Sequence, residues 1–134
     1  MTAIRTRSFL HGALLLDAVA TGATALLVLL AAGPLAALLG LPALLLRAAG
    51  LILVPFVALV VWSGLQSRPP ALAVNAIIAM NAAWVVASIG LLVSGAVAPT
   101  LLGYAFVIAQ AAVVGVFAEL QFVGRRKAAR MVAA

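Results

Sequence analysis

The chain has no cysteine, one histidine and only two acidic residues, Asp17 and Glu119. The missing cysteine excludes disulfides, thiolate metal sites, cysteine nucleophiles and lipidated cysteines. A Ser-His-Asp set would have to recruit His11 and Asp17, both near one end of one helix, and no nucleophile elbow aims a serine. No glycine-rich phosphate loop is present. A lone histidine without a ligand four residues away makes a poor metal site. The sequence therefore predicts no catalytic set, no metal and no cofactor, and no enzyme acting alone.

Charge of either sign is scarce. Charged residues make up 7% of the 134 residues and hydrophobic residues 68%, whereas a soluble domain carries about a quarter charged. A soluble fold of this length could not hide so much apolar surface. Bilayer spans need about 20 apolar residues, and four fit. The reading is an all-α, integral membrane four-helix bundle forming a single domain, with spans over about 9–32, 42–65, 71–93 and 100–123.

The punctuation between spans is proline and glycine. Gly33-Pro34 is expected to end the first span, and 34–41, bounded by Pro34 and Pro42, is expected to lie as a short interfacial segment. Pro55, inside the second span, cannot donate to the Leu51 carbonyl and predicts a kink. Ser67-Arg68-Pro69-Pro70 separates the second and third spans. The fourth span is expected to stop at the basic tail, 124–134. The N-terminal run has the basic start of a secretory leader, but its length and its internal acid favour a retained helix.

The net charge of +6 comes from residues at the ends of apolar runs, which reads as topology and anionic lipid rather than nucleic acid. An even number of spans collects Arg5, Arg7, Arg68, Arg125, Arg126, Lys127 and Arg130 on one side and leaves Arg47 opposite. That asymmetry predicts a bacterial inner-membrane protein with both termini cytoplasmic.

Intramembrane acids call for a function by default. Asp17 lies roughly 12 Å in from Phe9 and Glu119 roughly 9 Å in from Arg125, at about 1.5 Å per residue. Asp17, Thr21 and Thr24 share one helix face. The candidate proton or ligand site is therefore Asp17, Glu119, Thr21, Asn81 and His11. The plainer alternative is that these groups hydrogen-bond one another and set helix register. Asn81 and Ser88 share a face and suit interhelical hydrogen bonds; Asn75 points elsewhere. Ala79, Ala83 and Ala87, with Gly115 on the fourth span, form small-residue surfaces suited to close helix contact. Trp62 and Tyr104 fit interfacial belts, and Trp84 lies deeper, packed in the bundle or facing lipid.

Gly33-Pro34…Leu39-Gly40-Leu41, Arg47-Ala48-Ala49-Gly50 and Ala118-Glu119-Leu120-Gln121 together resemble small bacterial four-span proteins of the DoxX-like type. The resemblance implies a four-helix inner-membrane protein, some of whose relatives are membrane partners of redox enzymes. Three functions follow as expectations. The first is an interaction or accessory subunit, as a homo-oligomer or with a membrane partner. The second is a small proton-coupled transporter using an intramembrane carboxylate, Asp17 or with it Glu119. The third is a quinone- or lipid-binding module using a cleft at Pro55.

Overall fold

A computed structural model describes residues 8–133, with side chains to Met131. Five helices follow in chain order: α1 (Phe9–Leu30), α2 (Ala32–Leu39), α3 (Ala43–Leu65), α4 (Ala71–Ser94) and α5 (Leu101–Ala133). α1, α3, α4 and α5 are each long and apolar enough to cross a membrane, and large side chains such as Leu30, Leu72, Val93 and Leu101 lie exposed on their outer faces. In water such surfaces would be an aggregation liability; against acyl chains they are the solvated face. The chain is a small polytopic membrane protein.

The first boundary differs from the expectation. α1 breaks at Ala31 (φ −122°, ψ 29°), and Gly33 and Pro34 fall in the first turn of α2. The first N–H groups of a helix have no partner within it, so proline at the third position costs no hydrogen bond. α2 ends at Gly40, whose φ of 69° is the left-handed cap that glycine takes without strain. α2 is then tied to the start of α5, where the Thr100 N–H donates to the Leu39 carbonyl at 3.0 Å and the Thr100 hydroxyl to the Leu38 carbonyl at 2.9 Å.

The last boundary also differs. α5 does not stop at Arg125 but continues to Ala133, 33 residues or about 50 Å of helix. Arg, Lys and Ala are strong helix formers, and cations suit the C-terminal end of the helix dipole. The basic residues end the apolar span without ending the helix.

The long helices pack as antiparallel neighbours. α1 lies against α3 and α5, α5 against α4, and α3 and α4 meet least. The α1–α3 contact is close at Gly50, where an added Cβ would stand 2.6 Å from Leu29 Cγ. α1 meets α5 through Gly124, whose added Cβ would lie 2.8 Å from Leu10 Cα. One apolar cluster (Leu10, Leu14, Ala18, Val60, Val74, Ile77) fills the basic end of the bundle. A second (Val28, Ala32, Leu39, Leu41, Leu46, Val107) fills the other end. The site lies between them.

Candidate functional site

Asp17 is fully buried on the inner face of α1 and is the centre of a network joining three helices. The Thr21 hydroxyl, one turn along α1, donates to Asp17 Oδ1 at 2.7 Å. From α4, Asn81 Nδ2 donates to Asp17 Oδ2 at 2.9 Å, and from α5, Gln121 Nε2 donates to the same oxygen at 2.6 Å. Asn81 Nδ2 spends its other hydrogen on Gln121 Oε1 at 2.9 Å. Both carboxylate oxygens therefore accept, and three neutral donors surround them. Among the described residues no Lys, Arg or His pairs with Asp17. Both amides turn nitrogen toward Asp17, whose two oxygens act here as acceptors.

Above this network lies a cavity of about 760 Å³. Its floor is Thr21 and Asn81, and its walls carry the rings of Phe56, Trp84, Phe106 and Phe117. Pro55 contributes to the α3 wall, where α3 runs uninterrupted through the proline. α3 and α4 make the sparsest contact of the neighbouring long helices, which places the mouth between them; the lining residues Ile52 and Met80 are 61% and 45% exposed. In a bilayer that mouth faces acyl chains rather than water.

A second set of hydrogen bonds braces the far wall. Trp84 Nε1 donates to Gln110 Oε1 at 2.8 Å, Gln110 Nε2 donates to Ser88 Oγ at 3.0 Å and to the Val107 carbonyl at 2.9 Å, and the Ser88 hydroxyl donates to the Trp84 carbonyl at 2.7 Å. An indole N–H can only donate, so it fixes the Gln110 orientation and pins α4 to α5 beside the cavity.

The structure brings together Asp17, Thr21 and Asn81 as the sequence suggests, and it separates the rest. Glu119 points out of the bundle, exposed on α5. The inner position near that level belongs to Gln121, fully buried, because Gln121 falls in phase with Val107, Gln110 and Phe117 along the inward stripe of α5 and Glu119 falls about 160° away. That phase, with Gln110 and Gln121 three helical turns apart, is the sequence signal that would have found both glutamines. His11 is buried but faces away from Asp17. Its Nδ1 accepts from the Ser8 N–H at 3.0 Å, and its Nε2 donates to the Gln66 carbonyl at 2.7 Å. It completes a capping box and clips the start of α1 to the end of α3.

Ala79, Ala83 and Ala87 are exposed, and Ala83 and Ala87 line the cavity. Gly115 is partly buried, with room for a methyl group 3.9 Å from Val85 Cγ2. Asn75 is exposed. Trp62 and Tyr104, half-exposed toward opposite ends of the bundle, occupy belt positions. Arg47 lies exposed at one end, and Arg68, Arg126 and Lys127 at the other. The guanidinium of Arg125 stacks over the Phe122 ring at 5.4 Å, and Lys127 Nζ lies over the Phe9 ring at 4.6 Å. Among the described residues no three His, Asp or Glu side chains gather where a metal could be held. Comparison of the chain with family models, curated proteins and solved structures gives no match.

Proposed function

We propose that the protein is a membrane module that takes a lipophilic small molecule from the bilayer and holds its polar end against the Asp17 network. The observation that carries this is the cavity. Its volume of about 760 Å³ lies within the range of small-molecule sites. Its lining is mainly apolar and aromatic with a few convergent polar groups, and its mouth opens between helices toward lipid. A bundle that needed only register from its polar residues would close over them. We assign binding rather than proton-coupled transport because Asp17 is fully buried and already held by three neutral side chains. No reaction is assigned. The basic end, with Arg68, Arg126 and Lys127, is read as cytoplasmic in a bacterial inner membrane, in keeping with the resemblance to DoxX-like proteins.

The test is extraction. Protein purified in mild detergent is weighed as an intact complex, and its bound material is extracted into organic solvent. A lipophile at one equivalent, lost when Ala83→Trp fills the cavity mouth in a protein that still folds, is expected. Absence of any bound lipophile, with no thermal stabilisation by added ones, would refute the reading.

One observation favours an added interaction role. Glu119 stands on the outer face of α5 close to Val116, which is 50% exposed, at a depth where a carboxylate exposed to lipid is costly. A second copy or a partner subunit covering that face would relieve it. The mass of the intact complex reads this directly, and Glu119→Leu dissociates the assembly if the reading holds.

A further inference from the structure

We infer that the ligand is a lipophilic amine, bound as its ammonium, whose N–H groups donate to Asn81 Oδ1 and Thr21 Oγ1 in the field of Asp17. The inference rests on the binding reading above and specifies its chemistry.

Five polar side chains line the cavity: Thr21, Thr24, Asn81, Trp84 and Gln110. Every hydrogen they own is already donated within the protein. Thr21 gives its hydrogen to Asp17, Thr24 to the Ala20 carbonyl at 2.9 Å, Asn81 both of its own to Asp17 and Gln121, Trp84 its own to Gln110, and Gln110 both to Ser88 and Val107. What remains is acceptor capacity only, chiefly Asn81 Oδ1, which has no partner among the described residues. A ligand whose polar end carries only acceptors, such as a ketone, an oxidised quinone or a carboxylate, would place lone pairs against lone pairs. The head must donate.

Charge selects among donors. Asp17 has only neutral partners among the described residues, so a cationic head at the cavity floor, one hydrogen bond away, would supply the counter-charge that a carboxylate there lacks. A cation with N–H groups satisfies both conditions, and the aromatic walls favour a cation over a neutral head. A quaternary ammonium has the charge without the hydrogens, and an alcohol has the hydrogen without the charge.

Those differences make the test. Trp62→Phe, on the outer surface away from the cavity, leaves Trp84 in the cavity wall as the single tryptophan reporter. Protein in lipid nanodiscs at neutral pH, where an alkylamine is protonated, is titrated with decylamine, decanol, 2-decanone and decyltrimethylammonium, each corrected for its partition into empty nanodiscs. Decylamine is expected to bind tightest, about tenfold or more over the ketone, as a charge-assisted hydrogen bond implies. Asp17→Asn is expected to weaken decylamine binding more than decanol binding and so to remove the preference of amine over alcohol. If the ketone or the trimethylammonium binds as tightly as the amine, the head-group assignment fails while the cavity reading stands. If no probe alters Trp84 emission, both fail. The wild-type series decides the matter even where Asp17→Asn does not fold.

Discussion

Replacing Asp17 by leucine removes the acceptor at the centre of the network, and the cost can be worked from its partners. Thr21 loses least, because its hydroxyl can turn to a carbonyl of its own helix. Asn81 keeps its bond to Gln121 but has one amide hydrogen left over, and the fully buried Gln121 likewise loses its bond to Asp17. Two orphaned donors would cost about 1–3 kcal/mol each by water-soluble precedent. Interhelical hydrogen bonds in membrane proteins average nearer 0.6 kcal/mol, because the unfolded helices also find partners in the membrane. The Asn81 donor borders the cavity and can be relieved there, so the sum is about 2 kcal/mol. Unfolding in mixed micelles by titration with dodecyl sulfate, followed by circular dichroism, measures it. Asp17→Leu combined with Gln121→Leu should cost less than the two singly, with a coupling of about 1 kcal/mol, since each removes what the other leaves unpaired. Equal stability of Asp17→Leu and wild type, or strict additivity, would refute the network as a structural unit.

Gln110→Leu frees the Trp84 indole N–H from its partner, and the tryptophan emission maximum should move measurably while stability falls by about 1 kcal/mol. Gly124→Val should be severely destabilising, by more than about 2 kcal/mol, because the new side chain meets the α1 backbone at Leu10, which cannot move aside as a side chain can; a folded, wild-type-like protein would contradict the packing of α1 on α5. Glu119→Gln should leave the stability of the isolated chain within about 0.5 kcal/mol, since Glu119 is exposed; a large loss in a monomer would place it inside the bundle. His11→Ala should fray the start of α1 at a cost of about 1 kcal/mol, read as faster amide exchange over Ser8–Gly12.

The span count and the all-α class were legible because continuous apolar runs of about 20 residues suit helices, whereas the strands of a membrane barrel alternate apolar and polar residues. Asp17, Thr21 and Asn81 were legible because burying a polar residue in the bundle costs less than exposing it to lipid, and spacing places Asp17 and Thr21 on one face. Glu119 misled for an identifiable reason. Weighting residues by the cost of their charge favours an acid over an amide, whereas the phase of α5 favours Gln121, and phase decides which side chain the bundle encloses. The continuation of α5 past Arg125 was missed because polarity marks where a span ends and helix propensity marks where a helix ends. A cleft was expected at a Pro55 kink; Pro55 lines the cavity in a helix that runs on through it, and the depth of the cavity depends on how far α3 and α4 diverge. That divergence follows from how each packs on α1 and α5, and no local pattern encodes it.

Photolabelling tests the central claim most directly. A lipophilic amine bearing a diazirine on its chain is irradiated with the protein in nanodiscs, and the labelled residues are located by mass spectrometry. The account predicts labels concentrated on the cavity wall, at Phe56, Met80, Trp84 and Phe106, lost on Ala83→Trp and on competition with unlabelled amine. Labels spread over outer-face residues such as Leu72 and Leu101, unaffected by either, would contradict it.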